Sequence, residues 1–167
     1  VLKDNEVLIK VKAAGLNRAD IAQKNGLYPP PPGESEILGL ECSGIIEDIG
    51  KNVNSKKPGD EVIALLAGGG YAEYVTCPEN HTILKPPKLS WAEGASIPEV
   101  YATCWLNLFI EAHMKEGDKI VFHAGASGIG TAGIQLAQAF GCDSFVSAGT
   151  QEKIDFCLNL GASAGEV

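Results

Sequence analysis

The first half of the chain alternates apolar and polar positions in short segments. In residues 6–12, the apolar side chains Val7, Ile9 and Val11 occur at every second position, which is typical of a half-buried strand. Further short strands are predicted at residues 44–49, 60–66 and 72–76. Glycine- and proline-containing turns separate the segments, and short strands at this spacing predict a small antiparallel barrel.

The pattern changes after Leu89. Ser90 and Glu93 form a capping-box sequence, in which each side chain accepts from the other's backbone amide, so a helix is expected to begin there. Pro98 suits the first turn of a second helix that we predict through residues 100–109. This second segment is apolar almost all round, and we expect it to be buried on several sides.

The last part of the chain alternates strands with helices. Apolar strands are predicted at residues 119–124 and 144–148, and helices at residues 129–140 and 152–160, stopped by Gly141 and Gly161. This order indicates a parallel sheet covered on both faces. The predicted fold class is therefore α/β plus β: a small barrel domain at residues 1–89 and an incomplete doubly wound domain at residues 90–167.

A glycine-rich loop follows the strand at 119–124 and opens the next helix. It contains the pattern G-x-G-x-x-G at Gly128, Gly130 and Gly133. Glycines at these positions allow a tight turn, approach of a pyrophosphate to the backbone and close packing of helix on strand, while the helix N-terminus favours the anion. The candidate cofactor-binding residues of the loop are Gly125, Ser127, Gly128, Ile129, Gly130 and Gly133. The alternative is a glycine-rich structural turn.

The end of the second strand bears on which dinucleotide binds. An acidic residue there would bind the ribose 2′-hydroxyl of NAD, but this chain has the sequence Ala148-Gly149-Thr150-Gln151. Thr150 and Lys153 offer a hydroxyl and a cation to a 2′-phosphate, which favours NADP(H). In the alternative interpretation, Lys153 only faces solvent on the first turn of a helix.

Composition narrows the class of partner. The chain has 13 basic and 21 acidic residues, a net charge of -8 and a pI near 4.8, which argues against a nucleic-acid partner. No apolar run reaches the roughly 18 residues of a membrane span, and the first residues do not resemble a signal peptide, so we expect no membrane partner and a cytoplasmic location. The cysteines are widely spaced without a C-x-x-C pair and are expected to be reduced; they are Cys42, Cys77, Cys104, Cys142 and Cys157.

Four segments together resemble a known family. They are residues 15–29, with Gly15-Leu16-Asn17-Arg18-Ala19-Asp20 and Gly26-Leu27-Tyr28-Pro29; residues 38–44; residues 68–75; and residues 123–137. In this order they are similar to the zinc-independent quinone oxidoreductases of the medium-chain dehydrogenase/reductase superfamily, which include zeta-crystallin. Within that family the chain most resembles the type induced by tumour-suppressor signalling.

The resemblance implies a GroES-like domain lacking its first strands, followed by part of a Rossmann domain. It also implies that no zinc is bound: zinc enzymes of this superfamily have ligands where Asn17, Leu40 and Glu99 stand here, and Asn17 and Leu40 are poor zinc ligands. Members are roughly twice as long, so the chain is expected to be a fragment, and the full-length protein a homodimer.

The activity implied by the resemblance is hydride transfer from NADPH to a quinone or an activated alkene. Asn17 and Tyr28 would line the acceptor site, and Thr103 would contact the nicotinamide. Each has a structural alternative: Asn17 as a turn residue, Tyr28 as an anchor for the proline-rich loop, and Thr103 as a hydroxyl bonded to its own helix. Two other functions remain open, an NADPH-dependent enoyl or alkenal reductase and a crystallin-like protein that binds NADPH without turnover.

Overall fold

The structure, a computed structural model, describes residues 2–167. Packing divides the chain into two compact units, the first ending at Glu99 and the second comprising Val100–Val167. The domain boundary predicted after Leu89 lies ahead of the helix that starts at Trp91, whereas packing keeps that helix with the first unit.

The first unit is built on an antiparallel sheet of five strands in the order β4-β1-β2-β3-β5. The strands are β1 Glu6–Ala14, β2 Glu41–Ile49, β3 Glu61–Leu65, β4 Tyr74–Pro78 and β5 Thr82–Leu84. Val7 and Ile9 of β1 pack with Cys42 and Ile46 of β2 in the core of this unit. The antiparallel sheet that the period-two pattern predicts is confirmed.

Three helices begin in the first unit: α1 Arg18–Lys24, α2 Trp91–Ala95 and α3 Pro98–Trp105. The capping box is confirmed, since Ser90 Oγ accepts from Glu93 N at 3.2 Å and Glu93 Oε2 accepts from Ser90 N at 2.8 Å. Sequence analysis did not predict α1, because its seven residues carry no clear apolar stripe. A single 3₁₀ turn, Glu79–His81, precedes β5.

The second unit holds a parallel sheet in the order β6-β7-β8, with β6 Lys119–His123, β7 Asp143–Ser147 and β8 Ala164–Glu166. The helices α4 Gly128–Ala139 and α5 Gln151–Leu160 connect these strands. Gly141 and Gly161 follow the helices with φ of 69° and 118°, as predicted for residues that end helices. The third strand, β8, was not predicted, since its three residues lack an apolar run.

The expected burial of the helix at 100–109 is wrong. After α3 the chain continues as a π-helical segment, Leu106–Glu111, and Trp105, Leu106 and Ile110 are 46%, 48% and 55% exposed. The aromatic rings pack on one another instead, with 4.3 Å between the ring centroids of Trp105 and Phe109. Only Cys104 of α3 is buried.

Among residues 2–167, no helix is long and apolar enough to cross a membrane.

Candidate functional site

Asn17 is the residue around which the polar groups of the first unit converge. It stands at the N-cap of α1, where its backbone N–H donates to Asp20 Oδ2 at 2.7 Å. The Nδ2 group of its carboxamide donates to Glu41 Oε1 at 2.8 Å. Asp20 therefore holds the backbone of the turn, and Glu41 holds the Asn17 side chain.

Two carboxylates, Asp20 and Glu41, fix the surroundings of Asn17. Asp20 is 5% exposed and also accepts from Gly39 N at 3.1 Å and from the Tyr71 hydroxyl at 2.8 Å. Glu41 is 2% exposed, and its second oxygen accepts from the backbone N–H of Glu99 at 2.9 Å. Sequence reasoning did not assign Asp20 or Glu41 to the site, because partners so far apart in the chain leave no local signal.

Burial and neighbouring charge shift the ionisation of two acidic side chains, Glu41 and Glu99. Burial raises the pKa of Glu41, and the nearby Asp20 charge acts in the same direction, against the hydrogen bonds from Glu99 N–H and Asn17. Burial also raises the pKa of Glu99, followed by the charges of Glu41 and Asp20. The carboxylate of Glu99 makes no hydrogen bond within residues 2–167, so it is the less compensated of the two.

A cavity of about 420 Å³ lies beside Asn17. Its lining is largely apolar, with a few polar side chains: Leu16, Asn17, Arg18, Asp20, Ile21, Lys24, Leu38 and Tyr71. Its volume and its largely apolar lining lie within the range of small-molecule sites. Arg18 and Lys24 have no carboxylate within 4.0 Å in the part of the chain that is described, so its mouth carries two unpaired cations.

Tyr28 lies apart from this cavity. It stands on the exposed proline-rich loop, where it is 52% exposed and its hydroxyl has no hydrogen-bond partner within the described chain. Its part in an acceptor site stays a prediction, and so does its alternative role as an anchor of the loop.

Thr103 belongs to the second unit, on α3. Its backbone carbonyl accepts from Asn107 Nδ2 at 2.8 Å, whereas its hydroxyl makes no hydrogen bond to any residue from 2 to 167. The alternative in which the hydroxyl bonds to its own helix is therefore not what the structure shows. A ligand contact by Thr103 stays a prediction.

The glycine-rich loop joins β6 to α4. A Cβ on Gly133 would lie 2.5 Å from Phe122 Cζ, and one on Gly125 would lie 2.6 Å from Val146 Cβ, so both glycines are required for packing. A Cβ on Gly130 would collide with the backbone of Gly125. Gly128 is less crowded, with Val100 Cγ1 as the nearest neighbour at 3.1 Å. Close packing of helix on strand and a tight backbone approach, two of the uses that the sequence pattern predicts, are thus present at Gly133 and Gly130. The approach of a pyrophosphate stays a prediction.

Backbone amides at the start of α4 form the candidate anion site. Ser127 is the N-cap and accepts from Gly130 N at 3.1 Å. The amides of Gly128 and Ile129 have no hydrogen-bond partner within the described residues. Unpaired amides and the positive end of a twelve-residue helix suit a phosphate group, so the loop fits a dinucleotide. Ala124, ahead of the loop, has an uncommon positive φ of 55°.

Thr150 and Lys153 lie at the same edge of the sheet as this loop. Adjacent parallel strands carry them, because His123 at the end of β6 pairs with Ser147 at the end of β7. Thr150 is the N-cap of α5, and its Oγ1 accepts from Lys153 N at 3.4 Å. Lys153 is exposed and forms no ion pair among the described residues. The contact between Thr150 and Lys153 is thus a helix cap made by the Lys153 backbone, and the Lys153 side chain faces solvent. Contact of this pair with a 2′-phosphate stays a prediction.

Two of the residues that the resemblance places at zinc-ligand positions, Asn17 and Leu40, make other interactions here. Asn17 bonds to Glu41, and Leu40 is a core residue with 8% exposure. No group of three or more His, Cys, Asp or Glu within residues 2–167 is arranged to hold a metal ion.

The chain is similar to known oxidoreductases. The family model of the alcohol dehydrogenase GroES-like domain matches residues 3–87. A quinone oxidoreductase of Sus scrofa is 37% identical over 161 residues, which are 96% of this chain and 49% of that protein.

Two solved structures extend the likeness. The CurK enoyl reductase has a TM-score of 0.89 at 31% identity, covering 99% of this chain and 52% of that one. The quinone oxidoreductase of Escherichia coli complexed with NADPH has a TM-score of 0.85 at 28% identity, covering 99% and 51%. The chain spans about half the length of these relatives. With its antiparallel sheet and its strand, glycine loop and helix, the chain belongs to the quinone oxidoreductase family of the medium-chain dehydrogenase/reductase superfamily.

Proposed function

We propose that the protein transfers a hydride from NADPH to a quinone, without zinc. The observation that carries this proposal is the edge of the parallel sheet, where the unpaired amides of Gly128 and Ile129 accompany Thr150 and Lys153. The amides suit the pyrophosphate of a dinucleotide, and the hydroxyl and cation suit a 2′-phosphate. The Escherichia coli relative is known as a complex with NADPH, which supports the same cofactor here.

Bound NADPH supplies the hydride, and the protein's task is to orient an acceptor and exclude water. The apolar cavity beside Asn17 suits a flat quinone ring. Because Asn17 and Leu40 replace zinc ligands, the chain has no evident means of ionising an alcohol. A quinone needs no such help, since it is already electrophilic.

The test is oxidation of NADPH by the full-length protein with an ortho-quinone, followed by the loss of nicotinamide absorbance. Turnover with NADPH that clearly exceeds turnover with NADH is the expected result. Absence of turnover across a series of quinones would contradict the proposed activity. Calorimetric titration with NADPH then separates a failure to bind the cofactor from a failure of the reaction; tight binding without oxidation would favour the non-enzymatic, crystallin-like function.

A second activity, reduction of an activated alkene, is favoured by one comparison. The CurK enoyl reductase has a TM-score of 0.89 with this chain. An enone that competes with the quinone and is itself reduced faster would favour this alternative.

Two further parts of the proposal concern the organisation of the protein. The full-length protein forms a homodimer, and its domain boundary lies near residues 89–90. Sedimentation analysis tests the dimer.

A further inference from the structure

The buried carboxylate of Glu41 is clamped at both oxygens. Oε1 accepts from the side chain of Asn17 at 2.8 Å and Oε2 from the backbone N–H of Glu99 at 2.9 Å. A Cβ on Gly15 would overlap the Glu41 carboxylate, so the chain leaves space for it in this position. Glu41 therefore occupies one defined place between the start of α1 and the start of α3.

An ionised carboxylate can accept hydrogen bonds but cannot donate them. The carboxamide of Asn17 must therefore direct Nδ2 toward Glu41, and the orientation of the amide is set by chemistry. Oδ1 of Asn17 has no hydrogen-bond partner in the described chain, and Asn17 lines the cavity of about 420 Å³. Oδ1 is thus available as an acceptor to a ligand in that cavity.

The backbone and the side chain of Asn17 are held by different carboxylates. Asp20 accepts from the backbone N–H at 2.7 Å, and Glu41 accepts from Nδ2 at 2.8 Å. A change at Glu41 therefore alters the direction of the carboxamide while Asp20 still holds the turn. The effect of the side chain's orientation can be measured separately from the stability of α1.

We propose that Glu41 is a positioning residue, which orients the Asn17 carboxamide so that Oδ1 accepts from an O–H or N–H group of the bound ligand. This inference rests on the proposed function, in which the cavity beside Asn17 takes the acceptor. The hydroxyl of a hydroquinone is a donor of this kind, whereas a quinone carbonyl is not. Glu41 thus favours the reduced form of the acceptor at this point of the site.

Glu41→Gln tests the proposal with little change of size. Gln Oε1 can still accept from Glu99 N–H, which directs the Gln amino group toward Asn17. The Asn17 carboxamide then has to rotate so that its Oδ1, rather than its Nδ2, faces the Gln side chain. The measurement is the Kd of the hydroquinone, determined anaerobically by calorimetry, for full-length Glu41→Gln, Asn17→Ala and the double variant. Glu47→Gln, exposed on the same strand β2, is the matched control.

We expect each single change to raise the Kd of the hydroquinone about tenfold, equivalent to roughly 1.4 kcal/mol, and the double variant to be no worse than Asn17→Ala. Such non-additivity shows that Glu41 acts through Asn17. Glu41→Gln with a Kd within about twofold of that of the unmodified protein, or a double variant with the product of both losses, would overturn the proposal. If the unmodified protein binds hydroquinone but has no turnover, the proposed function fails while the role of Glu41 is still tested by these Kd values.

The side-chain amide resonances of Asn17 provide a readout that needs no activity. In NMR spectra they should shift in Glu41→Gln but not in Glu47→Gln. In the unmodified protein they should shift as Glu41 titrates, more than those of Asn107, whose Nδ2 donates to the Thr103 backbone. Because Asp20 and Glu99 also face Glu41, the titration is repeated in Glu99→Gln. Asn17 signals that stay unchanged over the acid range would overturn the proposal even if Glu41→Gln does not fold.

Discussion

The hydroxyl of Tyr71 donates to Oδ2 of Asp20 at 2.8 Å, and joins two segments that are far apart in the sequence. Tyr71 follows Gly68-Gly69-Gly70, in which Gly68 and Gly69 have φ of 154° and 88°. Asp20 is the residue that also holds the backbone of Asn17. Tyr71, which lines the cavity beside Asn17, is therefore connected to the residue that holds the Asn17 backbone.

Tyr71→Phe removes this hydrogen bond and should lower the free energy of unfolding by about 1 kcal/mol, since a buried carboxylate loses one of its donors. Urea denaturation measures the loss. Tyr28→Phe is the matched control for stability, because the Tyr28 hydroxyl has no partner within residues 2–167. Equal stability of Tyr71→Phe and the unmodified protein would contradict the contribution of this bond.

The same pair predicts a dependence on alkaline pH. Burial, together with the hydrogen bond to Asp20, raises the pKa of Tyr71 to about 12. The folded state therefore binds the phenolic proton more tightly than the unfolded state, so this contribution is complete below about pH 10 and is lost as pH rises toward 12. The difference in stability between Tyr71→Phe and the unmodified protein should shrink over this range, as measured by chemical denaturation at each pH.

Packing of α4 on β6 gives a second prediction. Gly133→Ala would place a Cβ 2.5 Å from Cζ of Phe122, and relieving such a contact costs roughly 1 to 3 kcal/mol. Gly149→Ala is the control, because a Cβ there meets nothing within 4 Å. Thermal unfolding should show a lower midpoint for Gly133→Ala only. A normal midpoint would mean that helix and strand do not pack as closely as described.

Local sequence patterns were sufficient to predict the parts of the fold that depend on neighbouring residues. The capping box at Ser90 and the helix-ending Gly141 and Gly161 act over a single turn, and all three are confirmed. The glycine loop could be placed for the same reason, since strand, loop and helix are contiguous. Its ligand contacts stay predictions.

Contacts between distant segments could not be predicted from sequence. Glu41 meets Asn17 across 24 positions and Glu99 across 58, and nothing in the three local sequences indicates that they meet. The apolar segment after Pro98 shows that composition alone does not determine burial. Its composition predicts burial, but burial depends on which elements pack against it, and Trp105 is 46% exposed.

The acidic residues beside Asn17 predict a pH-dependent effect of Glu99→Gln. Burial and the charges of Glu41 and Asp20 raise the pKa of Glu99, so the folded state favours the protonated carboxyl. That contribution is present below the ordinary pKa of 4.5 and is lost as pH rises through the raised value. Glutamine imitates the protonated form, so Glu99→Gln should be the more stable protein at neutral pH, with the gain vanishing in acid. Thermal midpoints at several pH values measure this, with Glu47→Gln as an exposed control.

Lys153 provides the sharpest test of cofactor preference. It is exposed on the first turn of α5, with no ion pair among the described residues, and its backbone amide donates to Thr150 Oγ1. If its ammonium group contacts the 2′-phosphate, Lys153→Ala removes a charge-assisted bond that NADPH makes and NADH does not. We expect the Kd for NADPH to rise about tenfold, or roughly 1.4 kcal/mol, with that for NADH nearly unchanged.

Lys119→Ala is the matched control for this experiment, because it removes the same charge from the same unit. Lys119 begins β6, whereas Thr150 and the glycine loop follow the opposite ends of the strands. Loss of the Lys119 charge should therefore leave the Kd of both cofactors unchanged. Calorimetric titration of the full-length variants gives the Kd of each variant for NADPH and for NADH, and each Kd is compared with that of the unmodified protein. Equal weakening of NADPH and NADH by Lys153→Ala would assign Lys153 to the pyrophosphate or to general electrostatic attraction. Unchanged affinity for both cofactors would show that Lys153 only faces solvent, and a preference for NADPH would then have to depend on other residues.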